Sequence, residues 1–592
     1  MRASLPAAAL AVCVSGCVSL FDVMGVEEFV TEKSAAEGNP DPIADDRIED
    51  KHPVFDESLT IDETFGPCVV TLNKSGSITK LDIAPFDAGK ESIGDQLFRS
   101  YADAALKLDL PWMPSMEVVQ GMLKPFNDGL YAAVELAAQS GSQGAGINKA
   151  QLFKDLLAAL VDRSSNGTPD EKPLAADAAS LFAAALQASG ETVTVPPAIA
   201  SGASSLLDAL NADSSSSQPI GFYTWNPLLE GIFRQDRMLQ CRSQCPAFGA
   251  FAATASLLNS NADLSSRFGG VLDLYAGMTN PFADWSPRDV QPLVPTPDSL
   301  SGVDGIKQQF KATHPLDGDC DPRMAMVPAS DAPENKLFKA LFCPIGPDEG
   351  QDLIDVLISR IRSGSIDLTP TDQSGWYDRQ LYALETLLVP ERAAEKDHLF
   401  LTKRYKEKLV ETFKTIITQN RETHAKQVKT ESSGTNSAEI VPTPFDVYPL
   451  LPVEPFPTFY LRTARAYAFL DTMLQATMGK EFLAQAHRPV ESGAAITTSL
   501  GDELADRTCL LYGMSIVSGA SLGMRPLLTA EEQQAYPVAK CDARARDWLA
   551  AWDKDRDVES DQRVIVPVFN DWYNNQIRYW AVIGVKAIRV QA

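Results

Sequence analysis

Several things are scarce in this chain, and each scarcity excludes something. Beyond residue 17 no apolar run approaches the length that crosses a bilayer, about 20 residues as a helix, so the rest of the chain is expected to be soluble. Positive charge is short: 52 lysines and arginines face 78 acids, a formal net charge of −26. Phosphate backbones need a basic surface, so nucleic acid is excluded as a partner, and direct adhesion to anionic headgroups is disfavoured. Histidine is rarer still. His52, His314, His398, His424 and His487 are scattered, without the H-E-x-x-H spacing that places two imidazoles on one helix face. There is no P-loop and no dinucleotide fingerprint, so no cofactor is expected.

What is present begins at the N-terminus. Arg2 precedes a short apolar stretch, Ala3 to Val14, the layout of a secretory signal. Val14-Ser15-Gly16-Cys17 then resembles the bacterial lipobox, in which small residues fit the peptidase groove and a cysteine sulfur takes up diacylglycerol. Lipidation is therefore expected at Cys17, with residues 1–16 as the signal peptide. Several acyl chains on one residue give stable attachment where a single chain gives marginal binding. Val18 stands where an inner-membrane retention signal would place aspartate, which favours the outer membrane, on either its periplasmic or its surface face. Fourteen acids against Lys33, Arg47 and Lys51 fill residues 18–63, so residues 17–63 read as an acidic flexible tether.

Residues 64–592 read as the body, mainly α, with a small β element from N- and C-terminal hairpins. Cys68–Leu72 and Ile78–Ile83 flank Ser75-Gly76, a turn signal. Val564–Val568 and Arg578–Ile583 flank Asn574-Asn575 near the other end. Between them, apolar residues at three- and four-residue spacing predict helices at 116–138 with a break at Pro125, 151–161, 174–188, 199–210, 352–361, 377–388, 405–428, 459–478 and 505–517. Ser214 to Ser217 reads as a polar loop, and Thr529–Glu532 as a capping box. Asn226 is placed to cap a helix whose first residue is Pro227. Its inward stripe is expected to be Leu228, Ile232, Phe233 and Leu239, with Arg234, Asp236 and Arg237 pointing elsewhere. Residues 279–335, rich in proline and aspartate, are a candidate lobe boundary or an elaborate surface loop.

An exported chain meets an oxidising compartment, so cysteine pairing is expected. Proximity in sequence suggests Cys320 with Cys343 and Cys509 with Cys541; Cys241 and Cys245 suit a disulfide or buried thiols better than zinc, having no second ligand pair. Asp317, Asp319 and Asp321 alternate as at the start of a calcium loop, but Pro322 and Pro328 occupy the glycine and glutamate positions, which excludes an EF-hand. A looser calcium site competes there with a solvated acidic loop. Gly519-Ala-Ser521-Leu-Gly523 matches the G-x-S-x-G nucleophile pattern, yet the residues before Ser521 read as helix where the elbow needs a strand.

Three stretches resemble a family of exported, often lipid-anchored bacterial proteins, the domain-of-unknown-function family numbered 3160. Phe222-Tyr223-Thr224 through Phe233-Arg234 is similar to its Tyr-Thr dipeptide leading into a helix that carries Phe-Arg. Val453-Glu454-Pro455-x-Pro457-x-Phe459-Tyr460 and Ala425-Lys426-Gln427 are similar to two further runs, although the family's Arg-His-Asp-Thr is not reproduced before Ala425. The resemblance covers about residues 190–590, discontinuously, and implies a mostly helical extracytoplasmic protein without implying an activity. The expectation is an envelope lipoprotein that binds or scaffolds an envelope protein or glycan. Its alternative is an extracytoplasmic hydrolase using Ser521 or an unidentified carboxylate pair.

Overall fold

Short polar caps set several helix starts of the body. In this computed structural model the described residues are 114–241, 243–314, 323–330, 353–397, 403–424, 453–522 and 524–552, with the backbones of four strands, 68–72, 78–83, 558–570 and 576–588. The strands are β1 (Cys68–Leu72), β2 (Ile78–Ile83), β3 (Val558–Asn570) and β4 (Gln576–Ile588). β1 pairs antiparallel with β2 and β3 with β4, as two separate two-stranded sheets.

Most of the other described residues are helical, and the body is mainly α. Its principal helices are α1 (Met116–Ser140), α2 (Lys149–Asn166), α3 (Glu171–Ala188), α4 (Pro197–Ala212), α5 (Pro227–Leu239), α6 (Phe248–Ser260) and α7 (Ala262–Met278). They continue as α8 (Val303–Thr313), α9 (Leu353–Arg362), α10 (Trp376–Leu388), α11 (Lys403–Thr423), α12 (Pro457–Thr477), α13 (Leu500–Ser521) and α14 (Val538–Trp552). Ser115, Asn148, Asn226 and Ser499 each accept a backbone N–H three residues on, relieving one orphan donor of α1, α2, α5 and α13. Thr529 and Glu532 form the capping box that opens the short helix Ala530–Ala535.

Two local expectations are corrected. α1 does not break at Pro125 but runs through it, ending where Gly141 turns left-handed at φ 66° and donates to Ala137 O. Pro125 sits on the exposed side, and packing of the residues around it, Leu123, Phe126 and Asn127, holds the helix across the lost hydrogen bond. Ser214–Ser217 is a single helical turn rather than a loop, with the Asp213 side chain accepting from Ser216 N–H.

One continuous apolar core runs from Met116 to Ala545. α3 is its hub, contacted by α2, α4, α5 and α6. It can be, because Ala178, Ala179, Ala183, Ala184 and Ala185 are fully buried and let neighbours approach closely. On the other side α12 packs between α10 and α13, and α13 against α14. A Cβ on Gly513 would lie 2.0 Å from the Cys541 carbonyl oxygen, so only glycine fits that crossing. A disulfide joins Cys509 to Cys541 across it, as the spacing suggested.

Within 279–335, read as irregular from the sequence, Val303–Thr313 forms α8, and residues 290–310 pack on α6. Val290, Val294, Leu300 and Phe310 close over Ala252, Ala253 and Ala255 as a smaller core, and Met326 N–H donates to Leu239 O at 2.9 Å. The aromatics Phe222, Tyr223, Phe456, Phe459 and Tyr460 are buried in the core, so they hold helices together. No helix among the described residues is long and apolar enough to cross a membrane.

Candidate functional site

The most concentrated chemistry lies where α1, α2, α5, α7 and the 3-10 turn Gly221–Thr224 converge. Lys149, the first residue of α2, is 0 % exposed. Its Nζ donates to Asp236 Oδ2 at 2.8 Å and Oδ1 at 3.1 Å, lies 3.5 Å from Glu135 Oε2, and reaches the Tyr275 hydroxyl. Tyr275 OH is 2.9 Å from both Glu135 Oε2 and Asp236 Oδ2. Tyr223 OH donates to Glu135 Oε1 at 2.7 Å. Two carboxylates thus share one ammonium and two phenol donors, as buried charge requires.

Burial opposes charge on Lys149, but Asp236 and Glu135 outweigh it and hold the ammonium above the ordinary lysine value. Burial and the same carboxylates push the Tyr223 and Tyr275 phenols well above theirs, so both stay as neutral donors. Beside the cluster, the amides of Gln139 and Gln235 exchange hydrogen bonds at 3.0 and 3.1 Å.

This cluster corrects the expected face of α5. Leu228 is 70 % exposed, whereas Leu229, Ile232, Phe233, Asp236 and Leu239 face inward, and Arg237 is buried too. Only Arg234 of the three charged residues stays partly out, bonded to Asn211. Asp236 follows Ile232 by four and precedes Leu239 by three, so it belonged to the apolar stripe by spacing. That spacing, with Glu135 alone inside Leu130–Ala138, was the available signal. Lys149 fell outside the expected helix and carried none.

A second buried polar centre surrounds His424. Its Nδ1 is 3.3 Å from Thr279 Oγ1 and its Nε2 3.1 Å from Gln380 Oε1. The rings of Trp376, Tyr377 and Tyr131 present edges to it at 5.1–5.4 Å. Burial, aided by Lys124, pushes His424 down to about 3, so the imidazole is neutral. Glu395 is also buried, bonded to Thr458 Oγ1, with Oε1 lacking a hydrogen-bond partner among the described residues; burial raises it to about 7.

Of the catalytic and disulfide candidates read from the sequence, the described ones, Ser521, Cys509 and Cys541, lie at neither centre. Ser521 is the last residue of α13, and its Oγ donates to Val517 O at 3.0 Å, a helical back-bond. A helix rather than a strand leads to it. Asp317, Asp319, Asp321, Cys320, Cys343, Cys17 and Ala425-Lys426-Gln427 lie outside the described residues. Among the described residues no group of three or more histidine, cysteine, aspartate and glutamate side chains is arranged to hold a metal ion. Cys241 and Cys245 form a disulfide. Glu454, from the Val-Glu-Pro run, accepts Met116 N–H at 2.6 Å and so helps cap α1. Comparison of the chain with protein-family models, with curated proteins and with solved structures finds no match.

Proposed function

We propose that this protein is an envelope lipoprotein whose helical body serves a binding or scaffold role at the outer membrane. In this proposal Cys17 carries the lipid, the acidic residues 18–63 space the body from the bilayer, and the outer helix faces meet an envelope protein or glycan. The lipobox-like Val14–Cys17 supports the anchor, and the disulfides Cys241–Cys245 and Cys509–Cys541 support passage through an oxidising compartment. The resemblance at Phe222–Arg234 and Val453–Tyr460 supports the same location.

The observation that carries the scaffold role is the sealing of the Lys149 cluster. A catalytic group must meet its substrate, yet Lys149, Glu135, Asp236, Tyr223 and Tyr275 are all buried and spend their polar atoms on one another. Such a cluster fixes how five elements meet, which is what a rigid platform needs. The test is metabolic labelling with an alkynyl palmitate in the native host, followed by crosslinking in intact membranes. The wild-type chain should take label, stay with membranes and crosslink to a discrete partner. Cys17→Ser should lose label and leave the membrane fraction. An unlabelled wild-type chain, or a Cys17→Ser chain that stays attached, contradicts the proposal.

A further inference from the structure

The two disulfides among the described residues differ in what surrounds them. Cys509 and Cys541 are buried between α13 and α14. Cys245 is exposed and Cys241 half-buried, and their bond lies in the wall of a cavity of about 470 Å³. Lys307 and Lys311 of α8 and Arg323 line the same cavity, over the rings of Phe248, Phe251 and Phe310. Ser243 Oγ, also in the lining, is buried and has no hydrogen-bond partner among the described residues. Cys241 has φ 54°, a left-handed conformation that a non-glycine residue adopts at a cost.

From these features we propose that Cys241–Cys245 is a reversible thiol–disulfide exchange site that accepts small anionic thiols. Access selects the sulfur attacked: Cys245 is the exposed residue of the pair, its Sγ 3.5 Å from the Met324 carbonyl oxygen. A thiolate from solution bonds to Cys245 Sγ, the Cys241–Cys245 bond breaks, and its electron pair leaves on Cys241 as a thiolate. A second thiolate then attacks the sulfur of the bound thiol, releasing a small-molecule disulfide and the Cys245 thiolate. In sum two small thiols are oxidised, the protein disulfide is reduced, and the two thiol protons pass to Cys241 and Cys245. The cations of the cavity serve twice, attracting a negatively charged thiol and stabilising the negative charge that appears on the departing sulfur. The aromatic floor accommodates an organic body behind that charge. The site requires neither the lipid anchor nor a scaffold partner.

The test uses the full mature chain with glutathione as the anionic thiol and cysteamine as the cationic one, at matched thiolate concentration. Peptide mass analysis after alkylation reads each disulfide, so Cys509–Cys541 is the internal control. Cys241–Cys245 should open at least about tenfold faster than the control, with a glutathione adduct on Cys245. Glutathione should outrun cysteamine, and that advantage should shrink several-fold in Lys307→Gln and in Arg323→Gln, surface changes that leave the core intact. Simultaneous opening of both disulfides, adducts confined to other cysteines, or equal rates for the two thiols would each overturn the proposal.

Discussion

Lys149 Nζ and Asp236 Oδ2 meet at 2.8 Å, with both side chains closed off from solvent. Lys149→Met leaves Asp236 and Glu135 without their cation in the core, and should cost about 3–5 kcal/mol in urea unfolding. Adding Glu135→Gln and Asp236→Leu should recover much of that loss, because the uncompensated charges go with it. A single variant as stable as wild type would show that the cluster does not hold these helices.

His424 makes stability depend on pH in a defined direction. Its folded value of about 3 lies below the ordinary 6.5, so the unfolded chain takes up a proton that the folded one refuses. The stabilisation is complete above pH 6.5 and is lost as pH falls towards 3. Between pH 7 and 5, wild type should lose about 2 kcal/mol relative to His424→Gln, which carries no titrating ring. Parallel profiles for the two proteins would contradict a buried neutral imidazole.

Glu395 works the opposite way. Raised to about 7 from 4.5, it stabilises fully below 4.5, and this is lost as pH rises through 7. Glu395→Gln should therefore gain stability relative to wild type between pH 5 and 8, as measured by urea midpoints. In wild type the two groups offset each other between 4.5 and 6.5, so only the variants separate them.

Two helical glycines should respond with opposite sign. Gly513→Ala places a methyl against the Cys541 carbonyl and should lower the melting temperature by forcing α13 from α14. Gly121→Ala in α1 meets nothing within 4 Å and should gain about 0.5–1 kcal/mol from helix propensity. Equal effects would mean that the α13–α14 crossing is looser than described.

Periodicity revealed the helical class because amphipathic faces repeat at helical spacing, and caps such as Asn226 and Thr529 carry a local chemical signature. It missed α6, where Ala250 to Leu258 are buried on every face and no stripe remains to read, and also α7, although Leu264, Phe268, Val271 and Tyr275 line its inner side. The Lys149 cluster was hidden for another reason. Its members come from positions 135 to 275, and a charged residue within an apolar stripe looks like an interruption until the partner arrives from another helix. On α5 that interruption led Asp236 to be assigned to the wrong face.

The most direct test of the account is the mass of the N-terminal peptide from protein isolated from its native host. The account predicts a chain beginning at Cys17 and bearing diacylglycerol on its sulfur. A free thiol at Cys17, or a chain that begins at another residue, would contradict it.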